Sequence, residues 1–136
     1  MRLRKGVVLK RIKIRTQKRS QWLDITRQVE TALAEAGVLS GMCLVHVPHT
    51  TAGVTVNENA DPDVQKDVLK FLDQMIPRDW GFLHVEGNSD AHIKASLMGC
   101  SLTLPVEEGR LMLGRWQGIY FCEFDGPRER EVWIQT

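Results

Sequence analysis

Four histidines, His46, His49, His84 and His92, are the side chains best suited to chemistry near neutral pH. His49 sits in the turn-rich stretch Pro48-His49-Thr50-Thr51, His84 precedes Val85-Glu86-Gly87-Asn88, and His92 falls at the start of a helical stretch. Three imidazoles at element boundaries, amid acids and glycines, can converge in a cleft. Together with water they would make an open centre for a divalent ion such as zinc, manganese or iron. No pair has H-x-x-x-H spacing, so three separately hydrogen-bonded histidines fit the pattern as well. His46 alternates with Val45 and Val47 along an apolar strand and reads as structural.

Other groups could complete such a site. Glu58 follows Gly53-Val54-Thr55-Val56 and is expected outside any helix, facing the histidines as a general base or as a hydrogen-bond partner to an imidazole N–H. Asp61 and Asp63 have structural roles at a helix start. Arg128 and Arg130 follow the turn Asp125-Gly126-Pro127 and point to one face of an extended segment. Paired guanidinium forks suit phosphate or pyrophosphate, although Glu129 and Glu131 offer them simple surface ion pairs. Asn88, Lys94 and Gln117 could add donors.

The elements that must position these residues are legible in outline. Residues 3–15 read as a strand, because Arg11, Lys13 and Arg15 alternate with Ile12 and Ile14. Ile25, Val29, Ala32, Leu33 and Ala36 recur at helical spacing, and Gly37 ends that helix, which is expected over residues 25–36. Met42 to Val47 and Gly53 to Val56 are short strands. Asp61-Pro62 starts a second helix with the stripe Val64, Val68, Phe71, Leu72 and Met75. A third helix runs through residues 91–98, with Ser89 or Asp90 as its cap and Gly99 at its end. Strands are expected at 101–106, 110–116, 118–124 and 131–135. Closely spaced strands imply hairpins, so the class is α+β with a largely antiparallel sheet and about three helices.

A chain of 136 residues fits one domain, 1–136, with an ordinary 43% of hydrophobic residues. No apolar run is long enough to span a membrane, and no signal-peptide core is apparent, so a cytoplasmic protein with no membrane partner is expected. Cys43, Cys100 and Cys122 are odd in number and widely separated. They read as buried reduced thiols. The tryptophans Trp22, Trp80, Trp116 and Trp133 read mainly as packing residues. The first 19 residues hold nine of the 18 basic residues and no acid. Such an arm reads as the charged face of an edge strand; residues 2–19 could also meet nucleic acid.

Several segments together resemble a known family. They are His49-Thr50-Thr51-Ala52, Asn57-Glu58-Asn59-Ala60-Asp61-Pro62-Asp63, His84-x-Glu86-Gly87-Asn88, Ala91-His92-Ile93-Lys94, Gly109-Arg110-Leu111-x-Leu113-Gly114-x-Trp116-Gln117 and Glu123-Phe124-Asp125-Gly126-Pro127-Arg128-x-Arg130. Together they resemble the YjbQ family, also described as secondary thiamine-phosphate synthases. The resemblance implies a sandwich- or pseudo-barrel-like antiparallel fold and a homotrimer with sites near subunit contacts. It implies a metal site on His49, His84 and His92, and a transferase that joins hydroxymethylpyrimidine diphosphate to a thiazole phosphate with release of pyrophosphate. Glu58 would then be catalytic. Thr50, Asn88, Lys94, Gln117, Arg128 and Arg130 would bind the phosphorylated small-molecule substrate, with magnesium as a substrate-borne ion. The alternatives are a metal-dependent hydrolase or phosphoesterase, and a non-enzymatic module that binds phosphate or nucleic acid.

Overall fold

Alternation of Lys and Arg with isoleucine makes a strand that is wet on one face and apolar on the other, which suits the margin of a sheet. The structure, a computed structural model, describes residues 9–136 and places this segment there. Strand β1 (Leu9–Arg15) is the edge of a five-stranded sheet of order β1-β8-β3-β5-β6, and Arg11, Lys13 and Arg15 are exposed while Ile14 is buried. Residues 1–8 of the basic arm lie outside the described residues. The other members are β3 (Gly41–His46), β5 (Ser101–Glu107), β6 (Arg110–Leu111) and β8 (Glu129–Gln135). A second, three-stranded sheet has the order β2-β7-β4, from β2 (Gln21–Asp24), β4 (Ala52–Glu58) and β7 (Gln117–Glu123). Every strand pair is antiparallel. With three helices, α1 (Thr26–Ala36), α2 (Pro62–Met75) and α3 (Ser89–Met98), the class is α+β as expected.

Alternation along β7 fastens the layers together. Ile119 and Phe121 face a core shared with Val29, Ala32 and Leu33 of α1 and with Val45 and Ile134 of the larger sheet. Tyr120 and Cys122 face the opposite way, into a second core with Trp22, Leu72, Ala91, Ala95 and Phe124. Each large apolar side chain buried this way stabilises the fold by about 1.5–3 kcal/mol. The close approach of α3 to β4 depends on Gly53. A Cβ there would lie 2.6 Å from the Gly99 carbonyl, which accepts a hydrogen bond from the Val54 N–H.

Several local expectations are corrected. β2 was not foreseen, and β4 runs on to include Glu58 instead of ending at Val56. Asp61 caps α2 by accepting from the Asp63 N–H, as Asp61-Pro62 implied. By contrast, neither Ser89 nor Asp90 caps α3: Asn88 is the cap residue, without a side-chain bond, and the Asp90 carboxylate is bonded to Arg19 at 2.9 and 3.0 Å. The segment expected as a strand over 110–116 is only the two-residue β6. Cys43 and Cys122 are buried, and burial raises both thiols, but Cys100 is exposed. Trp80 and Trp116 are also exposed, so packing accounts for Trp22 but not for them.

The two sheets are joined by one buried ion pair. Arg130 of β8 donates to Glu123 of β7 at 2.8 and 2.5 Å, and Glu123 also accepts from Thr16 and from the Phe124 and Asp125 N–H groups. Glu123→Gln would leave the Arg130 charge buried without its counter-ion. We expect a loss of about 3–5 kcal/mol in urea unfolding. A midpoint equal to that of the parent chain would contradict this account.

Candidate functional site: a histidine-lined cleft

The turn after Arg130's partner strand and the segments leading into β4 and α3 meet at one end of the sheet junction. There they enclose a cleft of about 410 Å³, lined by His49, Thr50, Thr51, His84, Glu86, Asn88, His92, Asp125, Arg128 and Arg130. Thr51 is fixed by the ion pair, since Arg130 also donates to its hydroxyl at 2.9 Å. This anchors the segment that carries His49. On the opposite wall, Gly87 has φ of 71° and donates its N–H to the His84 carbonyl, a left-handed turn that returns the chain to α3 and His92. The His84 and His92 rings consequently meet edge to face, with centroids 5.4 Å apart. Neither ring is hydrogen-bonded to the protein among the described residues; the nearest carboxylate oxygen is Glu86 Oε1, 3.9 Å from His84 Nε2.

His49 is held differently. Its Nε2 accepts the Glu131 backbone N–H at 2.9 Å. Burial first, and the neighbouring Arg130 charge second, push its basicity below the ordinary imidazole range. The three imidazoles thus share a cleft, but no three His, Cys, Asp or Glu side chains among the described residues are placed to hold one ion. One His49 nitrogen is already committed to the backbone. The donor set does not fit the expected metal centre.

Of the remaining expected site residues, Thr50, Asn88, Arg128 and Arg130 do line the cleft. Their charges are consumed internally. Arg130 is neutralised by Glu123, and Arg128 donates to the Asp125 carbonyl and carboxylate, each at 2.8 Å. Asn88 Nδ2 donates to Asp125 at 2.8 Å, which leaves its Oδ1 buried without a partner. No free guanidinium pair awaits a phosphate. Lys94 is absent from the cleft: it is buried, with Nζ 2.6 Å from Asp73 and 3.5 Å from Asp90. Glu58 and Gln117 pair with each other at the opposite end of the β4–β7 ladder. Six residues of strand, about 20 Å, separate Glu58 from the Ala52 end. Glu58 is therefore not a base for this cleft, and the Gln117 side chain accepts from the Gly114 N–H. His46 packs on Trp133, in keeping with its structural reading. Glu86, Thr51 and Asp125 were missed as site residues, although all three lie inside motifs already singled out.

These shifts set a pH dependence. A His49 basicity lower in the folded than in the unfolded chain means that the unfolded chain binds the extra proton first as pH falls. Stability is then complete above the ordinary imidazole range, near about pH 6.5, and declines below it. For Asp90, burial pushes the carboxyl up, but Arg19 and Lys94 outweigh it and hold it below the usual carboxylate range. A further loss follows at more acid pH. Urea midpoints should fall between about pH 7.5 and 5, with a shallower slope in His49→Gln. A flat profile, or equal slopes, would refute the His49 assignment.

The family model described as UPF0047 protein YjbQ-like matches residues 10–136. The UPF0047 protein of Methanocaldococcus jannaschii is 52% identical over 94% of this chain and 93% of its own. YugU of Bacillus subtilis is 54% identical over 94% and 98%. A crystal structure of an uncharacterized YjbQ/UPF0047 protein from Clostridium acetobutylicum has a TM-score of 0.91 and 54% identity, covering 92% of this chain and 97% of that one. A Sulfolobus solfataricus structure, described as of unknown function, has a TM-score of 0.91 and 32% identity over 95% of each chain. The relatives carry a family number in place of an activity, which overturns the expected thiamine-phosphate synthase function and metal-dependent catalysis. What the likeness supports is kinship and fold: the chain belongs to the YjbQ-like UPF0047 family.

Proposed function

We propose that the cleft is a histidine acid–base site acting on a small polar molecule, with His84 and His92 as its proton-handling pair. The observation that carries this reading is two adjacent imidazoles, with ring centroids 5.4 Å apart, whose nitrogens have no hydrogen-bond partner among the described residues, in a cleft where both guanidinium groups are already neutralised by carboxylates. Imidazole is the usual general acid or base near neutral pH, and a volume of about 410 Å³ suits a small metabolite. Glu86, 3.9 Å from His84, would orient that ring once a ligand draws the loop tighter. With both guanidinium groups of the cleft already paired, the substrate class is a neutral or weakly charged molecule.

The test is proton transfer itself. The full chain, dialysed against EDTA, is incubated in D₂O with small hydroxy acids, hydroxy ketones and lactones, and deuterium incorporation is followed by NMR. His84→Ala and His92→Ala should each slow exchange by about 10²–10⁴-fold. Exchange unchanged in both variants, or exchange that appears only when a divalent ion is added back, would end the proposal.

We also infer that copies of the chain associate. Leu39, Met42 and Leu44 are 72, 68 and 36% exposed, the latter two on the outer face of β3. Large apolar side chains left exposed beside one another in sequence favour a partner surface. The trimer implied by family likeness would cover it. Sedimentation equilibrium should return three times the chain mass, and Met42→Lys should reduce it; a single-chain mass for the parent protein would remove the inference.

A further inference from the structure

The bond between His49 and the chain's own backbone fixes more than the ring's position. Strand β8 is paired on one side with β1 along its whole length, Glu131 opposite Lys13. On its other side β3 covers only Trp133, Ile134 and Gln135, because β3 ends at His46. The Glu131 N–H therefore has no strand partner on that side. It donates to His49 Nε2 at 2.9 Å, and the imidazole takes the place of a missing ladder carbonyl. A backbone amide can only donate, so Nε2 must be the unprotonated nitrogen and the ring proton must reside on Nδ1. Flipping the ring would set a C–H against the amide and leave that N–H unpaired, so the ring orientation is fixed by the contact.

We propose that His49 is locked as its Nδ1–H tautomer and is a fixed hydrogen-bond donor to an oxygen of the molecule bound in the cleft. It is a binding residue; neither proton transfer nor ion ligation is its task. The matching ligand carries a carbonyl or carboxyl oxygen to accept this proton, as in a hydroxy acid or its amide. This deepens the acid–base reading above and rests on it for the ligand, whereas the tautomer follows from the Glu131 contact alone.

The experiment uses the full chain, uniformly labelled with ¹⁵N, at pH 7.5. Long-range ¹H–¹⁵N correlations distinguish the two neutral tautomers. His49 is expected as Nδ1–H. An Nε2–H pattern, or averaged signals, overturns the proposal, as does ligation of His49 by one equivalent of added zinc. Glycolamide and glycolate serve as binding probes. They should perturb His49 Nδ1, and His49→Gln, which keeps an acceptor for the Glu131 N–H but lacks the Nδ1–H donor, should bind them about tenfold more weakly. Probes that move His84, His92 and Asn88 signals but bind His49→Gln with parent affinity overturn the donor role while leaving the acid–base cleft in place. Probes that move none of these signals overturn the cleft reading, and the donor role with it.

Discussion

The contact on which the rest depends is the buried pair of Glu123 and Arg130. It joins the last residue of the central strand of one sheet to an early residue of a strand in the other, and the Glu123 carboxylate gathers five hydrogen bonds from four residues. Desolvating two charges is costly, and only excellent geometry with every lone pair satisfied offsets it. Here the satisfaction is nearly complete. The same guanidinium reaches Thr51, so the pair fixes the approach to β4 and with it His49. Thr16, just beyond β1, donates to Glu123 and accepts from the Arg128 N–H, which ties the turn over residues 125–128 into the same knot. The cleft is the concavity left where these segments come together.

This construction also decides what the cleft can bind. A second set of charges, half-buried Arg19 with buried Asp90 and Lys94, holds α3 in place, and Asp125 ties Asn88 to Arg128. Both guanidinium groups of the cleft already have an anion, Arg130 with Glu123 and Arg128 with Asp125, whereas Glu86 has no cation beside it among the described residues. Guanidinium groups used in this way build walls; they do not capture phosphates. The groups left over are two imidazoles, threonine hydroxyls and the Glu86 carboxylate beside His84. A site assembled from such residues selects by hydrogen-bond direction and by proton position and offers no free cation to an anion.

Much of this was legible in the chain, and the boundary of legibility has a physical meaning. Periodicity gave α1, the α2 stripe and the terminal strands, because burial of one face imprints itself locally. Alternating Lys/Arg and Ile correctly marked β1 as an edge. The candidate histidines did converge on one cleft, and Asn88 joined them. The failures share one cause. Arg130 reads as a free fork until Glu123, seven residues away around a turn, is placed beside it; Lys94 reads as a donor to a bound phosphate until Asp73 closes on it from another helix. Glu58 fits the motif pattern but lies at the far end of its strand. Ion pairing and ladder register are long-range properties, and spacing along the chain carries no record of them. The four-residue β2 is too short for its alternation to stand out.

Family likeness and geometry answer different questions here. Relatives above 50% identity fix the family, and a structure at a TM-score of 0.91 fixes the fold. A fold accommodates many chemistries, so an activity must be argued from the atoms of the site. His49 shows why. A motif records that an imidazole is present, and an imidazole is both a good ion ligand and a good base. Which of these it can be depends on which nitrogen is free, and that is settled by Glu131, a residue 82 positions away whose amide is exposed only because β3 stops short of it. The length of one strand thus selects the tautomer of one ring. That coupling of topology to proton position is what a sequence motif, however complete, leaves out.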